Sequence, residues 1–462
     1  MSEHKEYLAK RQLKKGTAGW VLLAGLGVSY VISGDFAGWN FGFAQAGWGG
    51  FAIASVLMAL MYFALVLSLA EMSSAIPTAG GGYSFARQAM GPAGGYLTGL
   101  AILIEYVLAP AAIVIFIGSA VNALIGIDGP IVYAVFYLIF IGIHLAGVGE
   151  ALKVMMVISG LAVVAILATG AALIGHFDVN NLFDMAVTSN LGASEFMPMG
   201  WYGVWAALPF AMWLFLAVEG VPLAAEEAKN PAKDVPKGIV GAMVFLLFTA
   251  LLVVVLVAGA AGTNAMGKSA VPLVDALNVN GYASLATWVN VLGLAGLVAS
   301  FFSIIYGYSR LVFALSRAGY LPQALSITSK RKVPARALVV PGLLGFAASL
   351  SGEGDLMLSM AVVGATVSYA LMALSHILLR INQPDLPRPY KTPGGVVTSA
   401  IALLLSLVAL TGVYAYDTRA FFYTFGLFII GILYYLLFAK NNLVAKTAEE
   451  EFALLSQAEL EL

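Results

Sequence analysis

The feature that most limits what this chain can fold into is its succession of apolar stretches, each near the 20 or so residues that a helix needs to cross a bilayer. They fall at 17–45, 48–76, 93–123, 130–147, 153–175 and 201–228, and again at 238–262, 284–315, 336–351, 355–381, 396–415 and 419–439. Of the 462 residues, 61% are hydrophobic and 10% charged, whereas soluble domains are about 45–50% apolar and about 25% charged. Burying this much apolar surface in water would need an implausibly large core, so lipid is the solvent that the composition calls for. The expected fold class is an all-α polytopic membrane protein with 12 transmembrane helices.

Twelve spans put both termini on one side, and basic residues test which. With the N-terminus inside, 21 of the 23 Lys and Arg lie on or near cytoplasmic ends, and only Lys268 and Arg419 fall outside. The basic clusters are Lys5, Lys10, Arg11, Lys14 and Lys15 in a leader over 1–16, then Lys229, Lys233 and Lys237, then Lys330, Arg331, Lys332 and Arg336, with Lys440 and Lys446 in a tail over 440–462. The outer connections instead carry Asp128, Asp178, Asp184, Glu195, Glu353 and Asp355. A multi-pass protein of the cell (inner) membrane with both termini cytoplasmic is expected. The net charge of −1 suggests no nucleic acid partner. The absence of cysteine excludes disulfides, thiolate metal sites and cysteine nucleophiles. No metal-ligand spacing or nucleophile–base arrangement occurs, and Gly80-Gly81-Gly82 is not followed by the Lys-Ser/Thr of a phosphate-binding loop. Neither a cofactor nor an enzyme activity is expected.

Ionisable residues inside the spans are few, and each is costly in hydrocarbon: Asp35, Glu71, Glu105, Glu219, His144 and His376. Asp35 follows Ser33-Gly34 in a glycine-rich first span, where helix propensity is low. Glu219 and Gly220 stand mid-way along the sixth span with Pro222 just after, and proline removes a backbone donor. Glycines also serve close helix packing, but an acid in the same stretch and a matching break in the sixth span favour a binding site. Interrupted helices at corresponding places in two halves point to a transporter site. Helices 1–5 (17–175) and 6–10 (201–381) then form inverted repeats, followed by helices 11–12 (396–439). Glu71 reads as a cap or ion-pair partner, His144 and His376 as hydrogen-bonded structural residues, and Glu105 equally as structural or functional.

Four motifs stand at helix boundaries. The second span ends Ala70-Glu71-Met72, then Pro77 and Gly80-Gly81-Gly82-Tyr83-Ser84-Phe85. After the sixth comes Glu226-Glu227-Ala228-Lys229-Asn230-Pro231-Ala232-Lys233-Asp234-Val235-Pro236. The eighth ends Ser309-Arg310-Leu311-Val312-Phe313-Ala314-Leu315-Ser316-Arg317-Ala318-Gly319-Tyr320-Leu321-Pro322, and Arg388-Pro389-Tyr390-Lys391-Thr392-Pro393 precedes the eleventh. In this order they resemble the amino acid–polyamine–organocation superfamily from about residue 17 to 439. The resemblance implies a five-plus-five inverted-repeat fold with two extra helices and a substrate held between the breaks of helices 1 and 6.

It also implies roles. Ser33 and Gly34 match the break whose backbone cradles a substrate carboxylate in amino acid carriers. Trp213 matches an aromatic that covers the substrate, Glu219 an acid associated with proton sensitivity, and Ala217 replaces the usual glycine. Ala162 stands where many relatives have a proton-linked lysine, and Lys153, nine residues earlier, reads as a helix-end charge. Asp35 stands where amino acid carriers usually have an apolar residue; a carboxylate there repels a substrate carboxylate and attracts an ammonium. The stretch from Ser33 to Gly42 looks most like the ethanolamine permease branch. The expectation is a secondary transporter importing ethanolamine as its ammonium cation, with Trp213 and Phe215 packed over it and Tyr106 and Tyr306 lining the pocket. Asp35 and Glu219 are the proton-coupling candidates. The alternatives are a neutral or cationic amino acid permease and, in another class, a non-transporting solute sensor, which the short tail disfavours.

Overall fold

The computed structural model describes residues 10, 11, 13 and 15–445; the expectations for Lys5, Lys14, Lys446 and the remainder of the two terminal segments lie outside the described residues. Every expected span is a helix. In chain order these are α1 (Trp20–Phe36), α2 (Phe41–Ala75), α3 (Gly82–Ile125), α4 (Pro130–Ala146), α5 (Val148–Leu173) and α6, which runs Gly200–Trp213 and resumes as a 3₁₀ segment over Val218–Glu227. Then come α7 (Pro231–Ala261), α8 (Ala283–Arg317), α9 (Ala335–Ser349), α10 (Gly354–Asn382), α11 (Val396–Tyr416) and α12 (Thr418–Leu437). Nine of these described helices are long and apolar enough to cross a membrane alone, and α1, α4 and α9 are shorter apolar helices. Among the described residues, extended backbone pairs only at the isolated bridge between Ala18 and Ala228.

Burial separates the centre from the rim. The most apolar window of α6 is 94% buried and that of α12 only 17%, so α6 lies inside and α12 outside. Leu404 and Leu407 on α11 and Phe422, Phe425, Ile430 and Leu433 on α12 stay exposed, an arrangement suited to lipid contact. Inside, α3 packs along α10, α2 along α6, and α1 against α7.

Three boundaries differ from the hydropathy reading, each for a local reason. α3 begins at Gly82, well before 93, because the polar run Ser84–Gln88 is helical; it joins the apolar part across a kink at Gly91, whose φ is +75°. The Arg87 guanidinium in this first part is buried, donating to the Tyr83 hydroxyl and the Ala445 carbonyl. α7 begins at Pro231, before 238, since the Asp234 carboxylate accepts the N–H of Asn230 and holds its polar first turn. The end of the first span runs into the second as one helix kinked at Gly47.

The four motifs meet at the end of the molecule that also holds Lys10, Thr17, Ala18 and residues 441–445. Glu71 of α2 receives Arg380 Nε and Nη2 at 2.7 and 2.6 Å, Arg388 Nε at 3.0 Å and the Thr392 N–H at 2.7 Å. His376 lies 3.2 Å from the same carboxylate and 2.6 Å from the Ser399 hydroxyl, and His144 bonds the Phe302 carbonyl. Glu71 is thus an ion-pair partner, and both histidines are hydrogen-bonded within the protein. Glu226 binds Arg317 at 2.6 Å and accepts the Ala79 N–H, and fully buried Glu227 binds Arg310 at 2.8 Å. Removing one partner of a buried ion pair strands the other. Glu71→Ala, which removes the shared carboxylate partner of Arg380 and Arg388, is expected to destabilise the protein by about 3 kcal/mol, measured as a lower midpoint of thermal unfolding in detergent.

Candidate functional site

The first span opens where a hydroxyl enters its hydrogen-bond ladder. Ser300 of α8 donates to the Ser29 carbonyl at 2.8 Å and accepts the Ser33 N–H at 2.9 Å, replacing the Ser33-to-Ser29 bond of a continuous helix. The Ser29 hydroxyl lies 2.6 Å from that of Ser303, one turn along α8. Inserted side chains of this kind bend helices. The chain nevertheless stays helical through Phe36 and leaves the helix only at Ala37–Asn40, where Ala37 is extended and Gly38 has φ +94°. The expected unwinding at Ser33-Gly34 is thus an opened bond at Ser33 followed by the true interruption a turn later.

The sixth span breaks before the residues expected to break it. α6 ends at Trp213, residues 214–217 are non-helical, and the 3₁₀ segment that follows carries Glu219, Gly220 and Pro222. Ala217 sits at φ +74°, the left-handed region that favours glycine.

The two interruptions touch. A side chain on Gly34 would meet the Trp213 carbonyl oxygen at 2.6 Å, so only glycine lets α1 approach α6 this closely. The Trp213 indole donates to the Ala37 carbonyl at 2.9 Å and packs edge-on to Phe116 of α3 at 6.2 Å. Above this contact, at the end opposite the ion pairs, an open cavity of about 270 Å³ is lined by Ala37, Gly38, Phe41, Phe116, Asp355 and Tyr416, among others.

Asp35 is 1% exposed, and neither carboxyl oxygen has a hydrogen-bond partner among the described residues; the Thr249 hydroxyl of α7 is nearby. It therefore turns toward α7 while Gly34 faces α6. Glu219 belongs to a separate group: its Oε1 accepts the Tyr106 hydroxyl at 3.0 Å and its Oε2 accepts the Tyr369 hydroxyl at 2.8 Å. Tyr369 also lies 3.2 Å from Glu105 Oε1, accepts from Tyr62 at 3.3 Å, and receives the Ala217 N–H at 3.5 Å. Phe215 packs on Tyr62 with ring centroids 5.6 Å apart, away from Trp213. Tyr306 stands apart from all of these, its hydroxyl bonded to Glu227 and the Arg310 guanidinium 4.0 Å above its ring.

Of the residues singled out in sequence, the structure brings together Ser33, Gly34 and Trp213 at the crossing of the breaks, and Tyr106, Ala217 and Glu219 in the acid–tyrosine group. Sequence reasoning missed Ser300, Thr249, Tyr62 and Tyr369. The available signal was a hydroxyl repeated at helical spacing, as in Ser300 and Ser303, within an otherwise apolar span. Among the described residues no group of three or more His, Cys, Asp and Glu side chains converges as a metal site would require.

The profile of a family described as amino acid permease matches residues 21–450. An uncharacterised transporter of Rhizobium meliloti is 28% identical over 408 residues, covering 85% of this chain and 86% of that protein. The branched-chain amino acid permease BcaP of Bacillus subtilis is 27% identical over 449 residues, 90% of this chain and 91% of its own. A methylthioribose transporter of the same organism is 26% identical over 373 residues, 76% and 78% of the two chains.

The strain at Ala217 is directly testable. A non-glycine residue in left-handed backbone costs about 1–2 kcal/mol, part of which glycine gives back in chain entropy. Ala217→Gly is expected to raise the thermal unfolding midpoint in detergent; an Ala217→Val variant, with a branched side chain in the same backbone, is expected to lower it.

Proposed function

The chain belongs to the amino acid permease family, whose members are membrane transporters rather than enzymes, and we propose that it imports a small organic amine, ethanolamine as its ammonium cation, by alternating access. The observation that carries this reading is Asp35: a buried carboxylate at the α1 interruption that pairs with no cation among the described residues and has only the Thr249 hydroxyl, which donates to the Leu246 carbonyl, nearby. A carboxyl group in such a place is stable only when protonated or with a cation beside it. An ammonium supplies the charge and up to three donors. A substrate carboxylate would meet repulsion from Asp35.

In this reading the substrate enters through the cavity lined by Ala37, Gly38 and Phe116 and passes the Trp213–Ala37 contact to reach Asp35. Helices 1–5 and 6–10 act as inverted repeats. The termini are cytoplasmic, in the cell (inner) membrane, and α1, α2, α6 and α7 rock against the remaining helices. Opening the cytoplasmic end then requires the Glu226–Arg317 and Glu227–Arg310 pairs, which tie the end of α6 to α8, to part. Asp35 and Glu219 are the candidates for proton coupling. The membrane potential alone contributes about 2.3 kcal/mol per charge per 100 mV toward accumulating a cation.

A second reading, transport of a neutral amino acid, is favoured by the name of the Bacillus subtilis relative BcaP. In it the backbone freed at the two breaks would hold the substrate carboxylate, and Asp35 would bind a coupling ion or the amino group. Uptake of labelled ethanolamine into proteoliposomes, competed by leucine, alanine, choline and agmatine, separates the two. Saturable uptake resistant to leucine and alanine is expected. Asp35→Asn is expected to reduce it by roughly 30-fold or more, the equivalent of the 2 kcal/mol or more lost when a buried charge pair loses one member. Uptake led by leucine would overturn the amine assignment and leave the family reading intact.

A further inference from the structure

Glu105 of α3 is fully buried, and the amine-transport reading leaves it without a task. Its carboxyl and that of Glu219 both contact the one Tyr369 hydroxyl, at 3.2 and 2.8 Å, which sets the two side by side. The donors around the two acids do not suffice for two carboxylates. The Tyr106 hydroxyl serves Glu219 Oε1, and Glu219 also meets its own backbone N–H. The Tyr369 hydroxyl has one hydrogen and lies 2.8 Å from Glu219 Oε2 against 3.2 Å from Glu105 Oε1. With that hydrogen on the nearer oxygen, Glu105 receives none, and its buried Oε2 has no hydrogen-bond donor among the described residues.

No compensating cation touches either acid among the described residues. The groups that face them are Tyr62 of α2, Tyr106 of α3, Tyr369 of α10 and Tyr30 of α1. The Tyr30 hydroxyl is itself buried and partnerless, and its ring packs 6.2 Å from that of Tyr106 and against Gly220, beside Glu219. Arg310 of α8, which lies on the other side of Tyr30, is bound to Glu227. Asp35 turns toward α7. Two adjoining carboxylates in a dry interior without a cation repel each other and pay full desolvation.

We propose that Glu105 and Glu219 share a single exchangeable proton across the α3–α6 contact, with Tyr369 holding both carboxyls in place. The proton supplies the donor that the geometry lacks: an acid O–H on Glu105 Oε2 reaching its neighbour leaves one net negative charge on the pair. Release is simple acid dissociation, in which the O–H electrons stay on the carboxylate and the proton passes to water. The pair is placed to sense the cycle because its members lie on different helices. Glu219 follows directly on the non-helical residues of α6, and the Ala217 N–H within that gap donates to Tyr369. A displacement of this segment separates the carboxyls, admits water to each, and removes the reason for sharing a proton. This role in the cycle rests on the transport reading above; the shared proton itself does not.

Infrared spectroscopy of the purified protein without substrate tests the pair independently of what is transported. A protonated-carboxyl C=O band that shifts on exchange into D₂O is expected at neutral pH. Because Asp35 is a second buried carboxyl, the comparison is made in an Asp35→Asn background: the band is expected to persist there and to vanish on adding Glu105→Gln, whose amide donates to Glu219 and leaves it ionised. A thermal unfolding midpoint close to that of the background shows that the double variant is folded, and Glu105→Met, which cannot donate, is expected to restore a band from Glu219. No band in the background protein, or a band unchanged by Glu105→Gln, overturns the proposal. In proteoliposomes, Glu105→Gln on its own is expected to lose substrate-driven proton movement, read with an internal pH dye, while substrate counterflow persists. Proton movement equal to that of the parent protein, together with loss of the infrared band, would overturn the role in the cycle.

Discussion

One hydroxyl makes the interruption of α1 possible. At membrane depth no water waits to satisfy a freed peptide group, so irregular backbone survives only where protein groups replace the missing bonds. Ser300 replaces both halves of one bond, donating to Ser29 O and accepting Ser33 N–H. The next turn is thereby uncoupled from the first, and the chain can leave the helix at Ala37. The gap in α6 is served differently. Its peptide groups bond locally, Phe215 N–H to Met212 O and Gly220 N–H to Ala217 O, and Ala217 N–H reaches the Tyr369 hydroxyl. Both gaps thus depend on scaffold side chains, from α8 and α10 respectively, and the two meet where Gly34 admits the Trp213 carbonyl.

The same dependence on paired groups explains why four separated motifs recur at one end of the molecule. Glu71 from the first motif binds Arg388 and Thr392 from the fourth. Glu226 and Glu227 from the second bind Arg317 and Arg310 from the third. Each pair is charged and largely dry, which makes it a poor source of net stability but a severe penalty on any arrangement that separates its members. Such contacts define one packing of the helix ends. They also join α6 to α8, a junction that an alternating-access cycle must break and remake.

The positions of the spans were legible because lipid imposes a length on apolar runs, and that signal survives without any knowledge of tertiary contacts. The polar first turns of α3 and α7 were not, since Arg87 and Lys233 lower the hydropathy of residues that are helical for local reasons. The breaks were legible as regions but misplaced by several residues. Glycine and proline mark where a helix is weak, whereas its actual end is set by what the partner helices offer: Ser300 opens the Ser29–Ser33 bond, and no feature near Ser33 names Ser300. Tyr306 reads as a pocket residue from its helix alone; its hydroxyl is instead bonded to Glu227, a contact that crosses 79 residues of sequence, and Arg310, one turn along α8, lies over its ring. Tyr369 escaped notice because a tyrosine in an apolar span looks like core until its hydroxyl is seen between two acids.

Charge arithmetic at the breaks gives the remaining constraint. Asp35, Glu105 and Glu219 are buried and lie on three different helices, while Arg310, the buried guanidinium near this region, is neutralised by Glu227. Three full negative charges, each buried without a cation of its own, are untenable. If Glu105 and Glu219 share a proton, one charge remains on that pair and another on Asp35, and a single ammonium or a further proton beside Asp35 lowers the total again. Asp35 turns toward α7 while the pair meets at Tyr369, so each has its own route to neutrality: a cation or proton at Asp35, a shared proton at Glu105 and Glu219. Coupling between a cationic solute and a proton then has to run through the helices that carry these acids: Asp35 lies on α1 and Glu219 on α6, whose interruptions meet at Gly34 and the Trp213 carbonyl, so a displacement there changes the surroundings of both.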